Sequence, residues 1–505
     1  MTQSNPSAGG AGGLPGLAGW SAGLAAVAEL PRSARRDVEA AIELARRFNA
    51  EVVRLLALDL DRAVQDDPEL LAHGFIAQAN EWRLFTRWLP KMFGGAGWNM
   101  LSLYAFIEEV SSECVGLANV IGVHYLGVAT LLSTWNMRLA LRVFADVVAG
   151  ERARRPCLVS LAITEPHAGT DVEETELVDR ARLGTTATRQ PDGSYRLDGR
   201  KVFISNGHVS TWHMVISYED RRHPADTTVV AAVRTGTPGF SFGAKEKKMG
   251  QKACVASELL FDDCRVPPEQ VALDREQTRA LGRPHRDIAQ TVIDYVVSST
   301  RAGVGAFAAG TARGAAEAAT RYAATRQLAG GQLLIEQQWA QTLLADMAQH
   351  AAQARQAYIE SALANGLGGL YQVLFAQPAY GADRLMPRAW MRRGGALALR
   401  SDWLTRWFQR RYLGAYPPCW QHLTSGVASL AKVACSDFAV KNAGLAIELM
   451  GADGLRHEYG VEKRLRDAKL LQIYEGTNQL NRINYFKCLL RPHEGVRVFL
   501  RNCAV

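Results

Sequence analysis

The spacing of apolar residues changes twice along this chain, and no other feature limits its possible folds as strongly. Over residues 35–149, apolar side chains such as Phe48 and Val52 recur every three or four positions, which predicts helices. Over residues 157–271, short apolar runs alternate with turn residues, which predicts strands. From about Asp287 onward the spacing is helical again. We therefore predict an α+β chain with helical, β-rich and helical parts in that order.

Length, composition and cysteine usage limit the class of protein. A chain of 505 residues normally forms two or more domains. No apolar run reaches about 18 residues, so we expect no membrane span, and the Gly/Ala-rich start lacks the basic region of a secretory signal. Eight cysteines without a Cys-x-x-Cys pair argue against a metal site and for reduced thiols in the cytoplasm. The net charge of +8 could attract a polyanionic ligand, but it also fits a solvated basic surface.

The β-rich part contains two dipeptides that are typical of hairpin turns. Residues 194–207 read SYRLDGRKVFISNG, and their apolar alternation stops before Asp198-Gly199 and again before Asn206-Gly207. The runs TTVVAAVRT and SELLFDDCRV predict further strands. The sequence therefore predicts a sheet with hairpins at both dipeptides.

The segment LAITEPHAGTD, residues 161–171, offers hydrogen-bond donors at an edge of this sheet. Thr164 and Thr170 supply hydroxyls, and Gly169 gives the backbone the freedom to turn its N–H groups outward. Such a loop can bind a flavin ring or a phosphate. The same residues also suit an ordinary connection from a strand to a turn.

The segment KVFISNG, residues 201–207, places Phe203 and Ser205 two positions apart, and thus on one face of a strand. An aromatic ring beside a hydroxyl suits a planar heterocycle. An aromatic side chain in a strand more often packs in a core, so this segment alone leaves both interpretations open.

The segment GVEKRLRDAKLLQIYEGTNQLNR, residues 460–482, contains a candidate catalytic carboxylate. A helix ending near Leu471 meets Tyr474-Glu475-Gly476, where the glycine permits a sharp turn, and Thr477 or Asn478 can cap the next helix. This turn could present Glu475 to a cavity. Alternatively, Glu475 is a surface residue that the dipole of the next helix favours.

Taken together, these segments resemble the acyl-CoA dehydrogenase family from about Arg35 onward. MFGGAGW resembles its early glycine motif, and Glu108-Glu109 falls where its helical acidic pair usually lies. AITEPHAGTD resembles its flavin loop, and KMGQKACVASELLFDDCRVP resembles the strands that close its β domain. The most specific match is LMGADGLRHEYGVEKRLRDAKLLQIYEGTNQLNR, which resembles the C-terminal signature.

The resemblance implies a multidomain α+β fold with FAD between the second and third domains, reaching a neighbouring subunit. We place a disordered Gly/Ala-rich tail at residues 1–34, a helical domain at 35–156 and a β-barrel-like domain at 157–284. A C-terminal helical bundle follows at 285–505, with an insertion at about 363–422 that the family pattern lacks.

The resemblance also implies roles for individual residues. Glu475 is the implied catalytic base. The implied cofactor-binding residues are Leu161, Ile163, Thr164, Gly169, Thr170, Phe203, Ser205, Arg326, Gly451, Thr477 and Asn478. The implied substrate-binding residues are Thr170, Arg301, Tyr474 and Gly476. Arg326 matches the arginine that reaches the neighbouring subunit's FAD, and Arg301 matches one on the substrate-side helix.

The chain departs from the family pattern near the candidate base and at residues matched to the adenine and pyrophosphate contacts of FAD. Some members carry their base beside the arginine matched by Arg301, where this chain has Thr300, so Glu475 is the matched candidate. Ala329 and Gly330 stand where the family usually has Phe-Gly, which puts the adenine contact in doubt. Glu448 and Ala452 replace a glutamine and a glycine, and a carboxylate near a pyrophosphate is unfavourable.

The implied activity is α,β-dehydrogenation of an acyl-CoA. A glutamate removes the α-proton and a hydride passes to flavin N5, which yields a 2,3-enoyl-CoA. The implied partners are an electron-transfer flavoprotein and a second subunit, in a homodimer or homotetramer; no nucleic acid is expected. Three alternatives stay open: an acyl-CoA oxidase, a non-catalytic nucleic-acid-binding flavoprotein and a flavin monooxygenase of this fold. The acyl group, and whether CoA or an acyl-carrier protein bears it, cannot be read from the sequence.

The predicted insertion is rich in tryptophan and arginine. Its tryptophans are Trp390, Trp403, Trp407 and Trp420, and its arginines stand at 384, 388, 392, 393, 400, 406, 410 and 411. Trp403 and Trp407 are spaced for one side of a helix. A subunit contact, a lid over the substrate and a membrane-surface patch are all compatible with this composition, as is extra packing on the bundle.

Overall fold

The computed structural model describes residues 32–173, 175–368, 385–415 and 418–489. The predicted tail at 1–34 therefore lies almost wholly outside the described residues, as do residues 369–384 of the insertion. The side chain of Trp420 is also outside the description.

The first part is helical, as predicted. Its helices are α1 (Arg32–Phe48), α2 (Arg54–Asp66), α3 (His73–Glu81), α4 (Met100–Ser133) and α5 (Met137–Arg152). The glycine-rich break before α4 is a tight turn, because a Cβ on Gly95 would lie 1.9 Å from the Leu89 carbonyl oxygen. Helix α4 is kinked at Cys114, whose backbone is extended.

Helix α4 is long and apolar enough to cross a membrane, by length and composition, and it is the one such helix among the described residues. Its position, however, is that of a core helix, because 83% of its most apolar window is buried inside the protein.

The middle part is one sheet of eight described strands: β1 (Val159–Ala162), β2 (Thr186–Arg189), β3 (Tyr195–Ser205), β4 (Trp212–Tyr218), β5 (Thr228–Arg234), β6 (Phe240–Lys245), β7 (Ala256–Val266) and β8 (Val271–Leu273). Their order in the sheet is β6-β7-β3-β2-β4-β5-β8, and β1 pairs in parallel with β4. Side chains from both ends of this order meet in a single core, so the sheet curls around it. Along the chain, the short helix α6 (Thr175–Val178) lies between β1 and β2, and the short helix α7 (Arg275–Thr278) follows β8.

Both predicted hairpin turns are wrong. Strand β3 continues through Asp198-Gly199, where its pairing with β7 shifts register. Gly199 has φ +126°, and a Cβ there would lie 2.7 Å from the Thr185 Cα, so this glycine serves a β-bulge. Asn206-Gly207 ends β3 and leads into a 3₁₀ turn, and β2 separates β3 from β4. The turn from β2 to β3 instead uses Gly193, at φ +81°.

The last part is again helical. Its helices are α8 (His285–Thr325), α9 (Gln338–Gly368), α10 (Arg388–Ala398), α11 (Asp402–Gln409), α12 (Pro418–Met450), α13 (Val461–Leu471) and α14 (Asn478–Leu489). Helix α8 packs on α4, α9 and α12. Its glycines permit the close crossing with α4, because a Cβ on Gly310 would lie 2.1 Å from the Glu108 carbonyl oxygen. The predicted α+β architecture is confirmed; the exact domain boundaries stay predictions.

Candidate active site

A cavity of about 570 Å³ opens where the three parts meet. Helix α4, the loop after β1, the end of β3, helix α8 and the turn between α13 and α14 all contribute to its walls. The predicted site residues that line it are Leu161, Ile163, Thr164, Gly169, Thr170, Phe203, Ser205, Tyr474, Glu475, Gly476 and Thr477. Segments far apart in the sequence therefore converge on one space of ligand size.

The turn between α13 and α14 presents Glu475 through an uncommon backbone conformation. Glu475 and Gly476 both adopt positive φ, +55° and +76°. For a glutamate this costs free energy, and such strain persists only where the surroundings hold it. Here the Glu475 carbonyl accepts from Arg301 Nε and Asn481 Nδ2, each at 3.2 Å, and the Gly476 carbonyl accepts from Lys432 Nζ at 2.7 Å.

Gly476 is required at this turn for space as well as conformation. A Cβ there would lie 2.8 Å from Glu173 Oε2 and 3.0 Å from Asn481 Nδ2. On the far side of the turn, Thr477 caps α14 by accepting from the Leu480 N–H at 3.3 Å. The backbone is thus fastened on both sides of the carboxylate.

The Glu475 carboxylate is partly buried against α8. Thr300 Oγ1 donates to Glu475 Oε2 at 2.5 Å. Burial raises the pKa of Glu475, and the Thr300 hydrogen bond together with the charges of Arg301 and Lys432 partly offsets that rise. A carboxylate with a raised pKa is a stronger base than one in water, which suits proton abstraction near neutral pH.

A second carboxylate, Glu173, stands beside the first and was not predicted from the sequence. Arg301 Nη2 donates to Glu173 Oε2 at 2.7 Å, while Arg301 Nη1 donates to Ser429 Oγ at 3.1 Å. Burial and the charge of Glu475 raise the pKa of Glu173, Arg301 opposes both, and the net result is a pKa of about 7. Arg301 therefore joins the Glu173 carboxylate to the Glu475 carbonyl, although it does not itself line the cavity.

The wall formed by the sheet carries an exposed aromatic ring. Phe203 faces the cavity with 59% of its surface exposed. A bulge near the end of β3 puts Phe203 at φ +59°. The regular alternation of side chains that the sequence predicts is therefore interrupted here, but Phe203 and Ser205 still line the same cavity.

Thr164 and Thr170 present hydroxyls that have no hydrogen-bond partner within the described residues. An open ring and free hydroxyls are the groups with which a flavin can stack and hydrogen-bond, so these residues fit that cofactor.

A buried ion pair holds this wall in place. Lys201 Nζ lies 2.7 Å from Glu165 Oε1 and also donates to the Ile163 carbonyl at 2.9 Å. Both charged side chains are essentially inaccessible to solvent. The pair fastens the loop that carries Thr164 to the strand that carries Phe203, and the sequence prediction missed it.

The end of the cavity formed by α4 and the middle of α8 is largely apolar. Leu103, Ile107 and Leu126 of α4 line it together with Phe307 of α8. Phe307 fits there because α4 has a glycine opposite: a Cβ on Gly122 would lie 2.5 Å from Phe307 Cζ. An apolar chain is the group that this end can bind.

Three predicted cofactor residues lie outside the cavity. Asn478 is buried, and its side-chain amide contacts Lys432, Ser436 and Asp437. Arg326 and Gly451 lie elsewhere: Arg326 is 26 positions after Thr300, about 39 Å along the helix axis. It is 55% exposed and lies 3.8 Å from Asp453. Neither Arg326 nor Gly451 lines the cavity of its own subunit.

The fold is that of a helical–β–helical protein with a cavity of ligand size where its three parts meet. Family models for acyl-CoA dehydrogenases match most of the chain: the N-terminal domain at residues 36–151, the middle domain at 160–264 and the C-terminal domain at 291–369 and 418–489. The chain belongs to the acyl-CoA dehydrogenase family, whose members are flavin-dependent oxidoreductases. Residues 370–417 fall between the matched segments.

Individual proteins that are similar to this chain are also named as acyl-CoA dehydrogenases. Cyclohex-1-ene-1-carbonyl-CoA dehydrogenase of Geobacter metallireducens is 28% identical over 404 residues, which are 80% of this chain and 86% of the relative. The structure of butyryl-CoA dehydrogenase from Megasphaera elsdenii is similar with a TM-score of 0.68 and 23% identity, covering 90% of this chain and 98% of that one. Glutaryl-CoA dehydrogenase from Mycobacterium smegmatis, in complex with FADH2, is similar with a TM-score of 0.65 and 18% identity, covering 91% and 95%.

Proposed function

We propose that this enzyme binds FAD and oxidises an acyl thioester to the 2,3-enoyl thioester, with Glu475 as the α-proton acceptor. The observation that carries the proposal is the convergence of a base with a raised pKa, an exposed aromatic ring with free hydroxyls, and an apolar pocket on one cavity. Thr164, Ser205 and Phe203 would hold the flavin ring. When bound, FAD would supply the redox chemistry by accepting the β-hydrogen with its electron pair.

Glu475 has the geometry of a general base. Its carboxylate faces the cavity, and Thr300 fixes Oε2 with a hydrogen bond of 2.5 Å. The base takes the α-proton, and the electron pair of that C–H bond becomes part of the new double bond as the β-hydrogen leaves with its own pair. Negative charge develops on the thioester oxygen, and preorganised donors stabilise such charge. The backbone N–H of Glu475 donates to no other described residue, so it is available for this oxygen.

The apolar end of the cavity is suited to bind an aliphatic acyl group. Phe307 stands seven positions after Thr300 on α8, about 10 Å along the helix axis. Its ring packs against the backbone of Gly122 and closes the pocket at that point. We therefore infer that Phe307 limits the length of the acyl chain.

A second subunit completes the proposed FAD site. Arg326 does not line the cavity of its own subunit, and it matches the family arginine that reaches a neighbouring subunit's FAD, so its matched role requires at least a dimer. We also propose an electron-transfer flavoprotein as the electron acceptor. Five buried cysteines, Cys114, Cys157, Cys254, Cys264 and Cys435, form no disulfide, which supports a reducing compartment such as the cytoplasm.

The function is tested with a panel of straight-chain acyl-CoAs and acyl-carrier proteins, scored by anaerobic bleaching of flavin absorbance. Wild type should reduce its flavin with CoA thioesters up to a length limit, and Phe307→Ala should extend that limit. The matched control is Phe144→Ala, which removes an equally large buried ring away from the cavity. Absence of bleaching with every thioester would refute the proposal, and rapid reoxidation in air would identify an oxidase.

A further inference from the structure

Helices α10 and α11, with the residues next to them, expose an unusual set of large apolar side chains. We call residues 385–412 the Trp–Arg surface. Its exposed fractions are 88% for Leu385, 73% for Trp390, 76% for Leu397, 67% for Trp403 and 46% for Trp407. Single exposed apolar residues are common on proteins, but clusters of this kind mark contact surfaces.

The same surface is strongly basic. It contains seven arginines and one acidic residue, Asp402, which pairs with Arg138 at 3.0 Å. Among the described residues, Arg393, Arg400, Arg406 and Arg410 form no ion pair. Tryptophan with arginine is the composition of surfaces that lie at the boundary between lipid headgroups and acyl chains.

The Trp–Arg surface is held firmly on the rest of the protein. Trp135, just after α4, stacks on Phe408 and Tyr412 with ring centroids 5.6 Å and 4.2 Å apart. Gln409 donates to the Thr134 carbonyl at 3.1 Å, and Arg388 Nε donates to the Gly94 carbonyl at 3.0 Å. The inner sides of both helices are thus used in packing, and the exposed tryptophans lie on the outer sides.

The geometry disfavours two of the uses that the composition allows. None of the described residues of the insertion lines the cavity, so the surface is not a lid in this conformation. A symmetric contact with a second copy would bring the arginine-rich surface against itself, and like charges across an interface are unfavourable. A partner with dense negative charge and an apolar interior removes both difficulties.

We propose that the Trp–Arg surface docks on an anionic lipid bilayer. The arginines contact the phosphate-bearing headgroups, and Trp390, Trp403 and Trp407 insert their indoles at headgroup depth. No span is involved: the enzyme lies on the membrane and leaves it when salt screens the arginines.

The test is sedimentation of the full-length holoenzyme with vesicles. Vesicles of phosphatidylcholine containing phosphatidylglycerol should bind the protein and release it at high salt, whereas pure phosphatidylcholine should bind at least about tenfold less. Trp403→Ser/Trp407→Ser and Arg393→Glu/Arg406→Glu should each weaken binding by about tenfold or more. The control Arg221→Glu/Arg222→Glu makes the same change of charge on an exposed turn of the sheet domain and should bind as wild type.

Several results would overturn the proposal. Equal loss of binding in the Arg221/Arg222 control would mean that overall charge, not this surface, attracts the vesicles. A change of oligomeric state in the Trp403/Trp407 variant, measured by light scattering, would assign the surface to a second copy. Tighter binding to duplex DNA than to the anionic vesicles would assign it to nucleic acid, and no binding to the anionic vesicles would end the idea.

Discussion

The hydrogen bond from Thr300 to Glu475 should set the pH at which the enzyme works. Thr300→Val keeps the shape of the side chain and removes the hydroxyl that donates to Glu475 Oε2 at 2.5 Å. A hydrogen bond to a charged group contributes about 1.5–3 kcal/mol. At about 1.36 kcal/mol per pKa unit, its loss should raise the pKa of Glu475 by about one to two units.

The sign of the effect follows from the role of Glu475 as a base. Only the ionised carboxylate accepts the α-proton, so the rate rises with pH through the pKa of Glu475. In Thr300→Val this rise should move about one to two units toward higher pH. Below the wild-type pKa the variant should be about ten- to a hundredfold slower, and at high pH the two rates should converge.

The assay is anaerobic stopped-flow reduction of the flavin at saturating substrate across the pH range. Thr300→Ser keeps the hydroxyl and should give a profile close to wild type. An unchanged profile in Thr300→Val, or a shift toward lower pH, would refute the assigned hydrogen bond. A uniform loss of rate at every pH would point to misplacement of the carboxylate instead.

Two further predictions concern the surroundings of the base and the second subunit. Glu173 keeps its proton in the folded protein up to a pKa of about 7, whereas the unfolded chain releases it near its ordinary pKa, so wild-type stability should fall as pH rises between those values. Glu173→Gln has no carboxyl proton to release, so it lacks this loss of about 3 kcal/mol in the free energy of unfolding. Its Tm relative to wild type should therefore be higher at pH 8 than at pH 5, and a difference that stays constant with pH would contradict the assignment. Arg326→Ala should lose FAD on gel filtration while the surface control Arg189→Ala retains it, and a stable yellow monomer would contradict a site shared between subunits.

The fold could be predicted wherever a periodic pattern was long. The Ala-rich stretch of α8 and the runs that became β5 and β7 were all placed correctly. Asp198-Gly199 was not, because a positive φ at glycine serves a β-bulge as well as a hairpin turn, and the local sequence does not distinguish them. The choice depends on whether β7 lies alongside, which is a tertiary contact.

The candidate site could be predicted only where its residues lie in segments with a recognisable local sequence pattern. The motif around Glu475 and the two sheet segments carry local signals, and the structure brings them to one cavity. Glu173 has no such local signal, because it is one of several acidic residues after the segment LAITEPHAGTD. Its place in the site depends on its hydrogen bond with Arg301, which is 128 positions away in the sequence. Lys432 and Asn481 likewise act on the Glu475–Gly476 turn through contacts that sequence spacing does not reveal.

The central claim is that Glu475 removes the α-proton, and Glu475→Gln tests it most directly. The amide is nearly isosteric, so the variant should fold, retain its flavin and still bind acyl-CoA in a spectral titration. Thr300, which matches the family's alternative base position, has no carboxylate with which to replace the one that is lost. Anaerobic stopped-flow absorbance with the best substrate should show flavin reduction slowed by about 10²- to 10⁴-fold. Bleaching at a rate near that of wild type would mean that another group is the base, and the proposed role of Glu475 would be wrong.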